Sequence, residues 1–222
     1  MTPGRGQPKA APVPHATTRP AAGSAGAAGL ADPAETERRR ALLGAPHMAA
    51  LARFAAGLRA RHGEVPDFDP LDGGTGARVL VLLETPGPTI GRTGLVSADN
   101  PTGTGRNLRR FLGAAGIARA DRALWNAVPW YIHAGGPNRA PRASELREGL
   151  ALLPPLLDLL PRLRVAVLAG RAAAGAEAVL RAHRPGLPVR LMPHPSPTYV
   201  CTAPDVARRI EAALAEAAAL LA

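Results

Sequence analysis

Val79-Leu80-Val81-Leu82-Leu83 is a run of five apolar residues that stops abruptly at Glu84-Thr85-Pro86-Gly87-Pro88. An apolar run this short and unbroken fits a strand covered on both faces, and the Pro/Gly segment after it prevents its continuation. Three more segments read the same way: 123–128, 165–169 and 189–192. Helical patterns separate them near 104–115, 143–160 and 171–183, and a last one runs from about 204 to 221. Strands alternating with helices predict the α/β class: a three-layer α/β/α sandwich around a four-stranded parallel sheet.

Upstream, Asp32-Pro33-Ala34-Glu35 places an N-cap residue, a first-turn proline and a capping-box glutamate in order. A helix from there to about residue 61 is predicted, with Leu42, Met48, Leu51, Phe54 and Leu58 on one face and Arg38, Arg39 and Arg53 opposite. Residues 1–31 hold Arg5, Lys9 and Arg19, no acid and almost no large apolar side chain. Such a segment cannot offset its ordering entropy, so a disordered basic tail (1–31) ahead of one domain (32–222) is expected.

The chain has 222 residues, with 27 Lys+Arg against 17 Asp+Glu and a net charge of +10. That excess attracts polyanions, and nucleic acid is the commonest such partner. Cys201 is the single cysteine, which excludes an intramolecular disulfide and the thiolate sets of a zinc ribbon or an iron–sulfur cluster. No metal or other cofactor is expected. The N-terminus lacks the apolar core of a secretory signal, and no apolar run reaches the roughly 18 residues of a membrane span. The expected setting is therefore the cytoplasm, without a membrane partner.

In an open parallel sheet, ligands bind at the carboxyl ends of the strands. Three of those ends are polar and stiffened: Glu84-Thr85-Pro86-Gly87-Pro88, Trp125-Asn126-Ala127-Val128-Pro129-Trp130-Tyr131 and His194-Pro195-Ser196-Pro197. Asp99-Asn100-Pro101 and Gly103-Thr104-Gly105-Arg106-Asn107 read as a pocket-lining loop and helix cap, without the lysine of a P-loop. His15, His47, His62, His133 and His183 show no ligand spacing and receive no role.

These segments resemble the uracil-DNA glycosylases. Glu84 to Pro88 is similar to their first motif, Leu124-Trp125-Asn126-Ala127-Val128 to their base-reading strand, and His194-Pro195-Ser196-Pro197 to their second motif, over residues 66 to 221 or so. The resemblance implies a DNA repair enzyme, acting as a monomer, that flips uracil or a related deaminated base out of DNA and hydrolyses its glycosidic bond. His194 is then the donor to the departing base and Asn126 the reader of its Watson–Crick edge. Pro86 and Gly87 line the base pocket, and Leu95 stands roughly where relatives place a stacking aromatic. Pro195, Ser196, Pro197, Thr198 and Tyr199 form the loop that presses on DNA, and Arg106 is a candidate phosphate contact. One branch of the family has an aspartate that positions the attacking water where this chain has Thr85; Glu84 and Asp99 are the nearby carboxylates that stand as alternatives. The branch with the most similar first motif carries a four-cysteine iron–sulfur cluster, which Cys201 alone cannot form. A module of the same fold that binds a damaged base without cleaving it is the alternative reading.

Overall fold

The computed structural model describes Met1 and residues 29–88, 90–133 and 139–222; most of the expected tail lies outside them. Four strands form a parallel sheet: β2 (Val79–Leu83), β4 (Arg122–Asn126), β5 (Val165–Ala169) and β6 (Val189–Met192), in the spatial order β4-β2-β5-β6. Every residue of β2, β4 and β5 is buried. Successive side chains on a strand point to opposite faces, so both faces of the sheet are covered, as the continuous apolar runs require. The fold is thus an α/β sandwich of three layers. Among the described residues no helix is long and apolar enough to cross a membrane.

Two further strands, β1 (Asp67–Phe68) and β3 (Leu95–Val96), pair in parallel beside the main sheet, with Phe68 opposite Val96. The Phe68 ring stacks on Trp125, 3.9 Å between centroids, so this small sheet is anchored to the middle of β4. The helices are α1 (Pro33–Arg40), α2 (Ala49–His62), α3 (Ile90–Thr93), α4 (Gly103–Ala114), α5 (Ala143–Leu150), α6 (Leu153–Asp158), α7 (Gly170–Ala174), α8 (Glu177–His183), α9 (Pro197–Val200) and α10 (Pro204–Ala219). The longest of them, α10, packs across β5 and β6 and against α4.

Several expectations are corrected. The first helix is two, α1 and α2, because Gly44-Ala45-Pro46 interrupts it and proline supplies no N–H to continue the ladder. The segment 143–160 also divides, where Pro154 and Pro155 start α6 anew; 171–183 divides at Gly175-Ala176 into α7 and α8. Asp32 does cap α1, accepting from the Ala34 N–H at 2.9 Å. Glu35, however, turns away from the cap to bond Arg38 and Arg39. Chain packing begins before Asp32: Leu30 is buried, and its N–H donates to the Asp99 carbonyl at 3.2 Å.

Arg39 departs furthest from its expected place. Instead of lying on the solvated face of its helix it is 0 % exposed, held by Glu35 (2.7 Å), Asp69 (2.6 Å) and Asp99 (2.8 Å). Arg119 bonds Asp69 and Asp99 from the other side, at 2.8 and 2.6 Å. A buried guanidinium is tolerated because each of its faces meets a carboxylate.

Gly149 lets α5 lie directly on the end of β4. A Cβ there would sit 2.1 Å from the Ala127 carbonyl oxygen and 3.0 Å from the Val128 Cα, both backbone atoms. Gly149→Ala is therefore expected to cost about 1–3 kcal/mol through forced separation of α5 from the strand. The check is urea unfolding, with a lower midpoint at unchanged slope.

Candidate active site

The connection from β2 leads to one neighbour, β4, while β5 lies on the other side of β2, so the strand order reverses at the β2/β5 pair. A crevice opens at the carboxyl ends of strands where the order reverses. Here it is a cleft of about 520 Å³. The turn after β2 forms one wall with Glu84, Thr85, Pro86 and Gly87; Asn126 lies at the end of β4; His194, Ser196, Thr198 and Tyr199 come from the segment after β6. The opposite wall is Val96, Ser97, Asn100 and the first turn of α4, whose N-cap Thr102 accepts from the Gly105 N–H at 3.0 Å.

Asn126 is 3 % exposed and faces Leu83 in the β2/β4 register. The ladder continues past it, with the Ala127 N–H donating to Leu83 and the Val128 N–H to Glu84 (2.8 and 3.0 Å). Its backbone is thereby fixed at the floor of the cleft, and among the described residues no group bonds its carboxamide. A buried amide left with a free donor and a free acceptor is poised for a ligand that offers the complement.

His194 is set by its own loop. The Ser196 N–H donates to its Nδ1 at 3.2 Å. A ring nitrogen that accepts carries no proton, so the neutral imidazole keeps its hydrogen on Nε2 and is a donor there. Burial holds its pKa below the ordinary histidine value, which favours this neutral form. Gly170, at φ +88°, makes room for the ring: a Cβ at that position would stand 3.0 Å from the His194 Cβ. The Asn107 side chain braces the same loop by donating to the Pro195 carbonyl at 2.9 Å.

Glu84 is half-buried at the cleft. Burial pushes its carboxyl above the usual glutamate value, against the pull of the nearby Arg171 charge. Thr85 Oγ1 lies 3.5 Å from Nε2 of His133.

Other proposed site residues stand elsewhere. Asp99 does not line the cleft; both Arg39 and Arg119 bond its Oδ2. Burial raises its carboxyl, and the two guanidinium groups outweigh that and hold it below its ordinary value. It is a strut of the cleft wall, not a free base. Leu95 is fully buried in β3, and Val96, its neighbour on the opposite face, meets the cleft in its place. Arg106 is exposed on α4, outside the cleft. Pro195 is buried beneath the rim, and the Pro197 ring fills the space a side chain on Gly103 would need. Thr198 and Tyr199 are exposed at the mouth. The structure adds Asn100, whose Nδ2 donates to the Leu95 carbonyl at 2.8 Å while its buried Oδ1 has no partner among the described residues, and Arg139. It also adds His133, which no ligand spacing would have revealed.

These features define a doubly wound α/β protein with a polar ligand cleft at the switch point of its sheet. The chain belongs to the uracil DNA glycosylase superfamily, whose family model matches residues 70–217. α1, α2 and β1 lie outside that match. Among solved structures, it is similar to the solution NMR structure of "a putative Uracil DNA glycosylase from Methanosarcina acetivorans", at 20% identity over 64% of this chain and 92% of that one, with a TM-score of 0.43. No curated protein matches it.

Proposed function

We propose that this protein removes uracil, or a related deaminated base, from DNA by hydrolysing its N-glycosidic bond after the base is flipped into the cleft. One observation carries the reading: a buried carboxamide unpartnered among the described residues, a donor-tautomer imidazole and a half-buried carboxylate line one cleft. Asn126 offers its amide oxygen to N3–H and its amide nitrogen to O4 of uracil, a pattern that cytosine reverses. As the C1′–N1 bond breaks, its electron pair leaves with the base, and Nε2–H of His194 donates to O2 where negative charge gathers. Water adds to C1′, and its proton passes to the Glu84 carboxylate. Ser196, Thr198 and Tyr199 stand at the mouth, where the distorted strand passes, and the net charge of +10 draws DNA to the surface. Arg5, Lys9 and Arg19 contribute to that charge, and the protein acts as a monomer in the cytoplasm.

Thr85 favours a second reading, because a hydroxyl is a poor base and the chain then binds the damaged base without cleaving it. Incubation with uracil-containing single-stranded and duplex oligonucleotides separates the two. Strand breaks on alkali treatment indicate excision; tight uracil-dependent binding without breaks indicates the binding module.

Glu84 must be ionised to accept the proton, so turnover is lost as pH falls through its raised pKa. Arg171 lowers that pKa. In single-turnover assays at saturating enzyme, Arg171→Gln is expected to move the acid limb of the rate to higher pH. An unmoved limb would assign it to another group.

A further inference from the structure

His133 sits 4 % exposed behind the turn that follows β2, edge-on to Tyr131 at 5.3 Å. Its Nδ1 accepts from the Arg139 N–H at 3.1 Å. The proton of the neutral ring is therefore on Nε2, as in His194. That N–H faces the Thr85 hydroxyl of the first motif, at 3.5 Å. Arg139 is itself held by two bonds to Glu145, at 2.8 and 2.6 Å, and Glu145 also accepts from the Arg142 N–H at the start of α5. A continuous set of contacts thus runs from α5 through Glu145, Arg139 and His133 to the wall of the cleft.

We infer that His133 is a positioning residue of this site, whose Nε2–H engages Thr85 and so directs the Thr85 hydroxyl hydrogen into the cleft. This rests on the reading given above. A threonine oxygen that accepts from one side turns its own hydrogen to the other, and Thr85 lines the cleft beside Glu84. Thr85 then donates to the attacking water while Glu84 accepts from it, which fixes the water with one lone pair free for C1′. Thr85 needs no basicity for this task. The charged groups facing His133 are Arg139 and Glu145; burial first, and then the Arg139 charge, hold its pKa below the ordinary value, while Glu145 opposes them. Acidification would place a second proton on Nδ1, against the Arg139 N–H.

The test is a double-mutant cycle in single-turnover uracil excision. His133→Phe and Thr85→Val are each expected to slow the step about tenfold, the upper end of what one hydrogen bond contributes, with binding of the uracil DNA little changed. Because one residue acts through the other, His133→Phe should add little in the Thr85→Val background. His133→Gln, which keeps an N–H donor, should recover most of the rate. Fully additive losses, or His133→Phe at the wild-type rate, would overturn the assignment. A second measurement needs no variant to fold: long-range ¹H–¹⁵N correlation on the wild-type protein reports the tautomer of His133. A proton on Nδ1 at neutral pH overturns the proposal even if excision is confirmed. Conversely, an Nε2–H tautomer in a protein that releases no base would leave the contact standing and refute the glycosylase reading.

Discussion

His194→Ala is expected to slow base excision on the order of a hundred- to a thousandfold, the usual loss when one preorganised donor to developing negative charge is removed. The donor is preorganised because its tautomer is imposed locally, by the Ser196 N–H on Nδ1, and because Gly170 lets the ring approach the end of β5. The loss should fall on the chemical step. The ground-state base bears little charge at O2, so affinity for uracil DNA should change far less than the rate, and single-turnover kinetics separate the two. Near-normal excision by a folded His194→Ala protein would remove this residue from the reaction.

Asn126→Asp is expected to reduce uracil excision by on the order of a hundredfold or more, since an ionised carboxylate facing O4 loses a donor and leaves two acceptors opposed in a buried site. The shape is retained, so the cause is the hydrogen-bond pattern. Cytosine presents an amine where uracil has O4, and slow attack on cytosine is the expected gain. A merely structural Asn126 predicts a different outcome, lower stability with uracil selectivity intact per folded molecule. Excision of both bases, normalised to the folded fraction, decides between them.

The sheet was legible because β2 and β5, covered on both faces, read as unbroken apolar runs, and β4 carries the apolar stretch Ala123-Leu124-Trp125. The residues at or just past the ends of β2, β4 and β6, namely Glu84, Asn126 and His194, were legible as site candidates because the ends of parallel strands share one rim, and the cleft gathers all three. Leu95 illustrates the limit of that reading. On a strand one residue separates opposite faces, and nothing in the two-residue β3 reveals which of Leu95 and Val96 faces inward.

Arg39 was misread for another reason. Its local helical pattern is that of a solvated face, while the carboxylates that bury it lie 30 and 60 residues away in Asp69 and Asp99. The same distance concealed the true task of Asp99, and it shows α1, outside the family match, holding the wall of the cleft. His133 was illegible because its meaning lies in a tautomer, set by a backbone N–H six residues on and directed at a turn 48 residues back.

The most direct measurement is to incubate the full-length protein with a uracil-containing duplex in ¹⁸O-labelled water and analyse both products by mass spectrometry. The account predicts free uracil and an abasic sugar carrying one ¹⁸O at C1′, with no release from the matched cytosine duplex. Intact DNA recovered after prolonged incubation with folded protein, or a sugar that remains bonded to the protein, would contradict it.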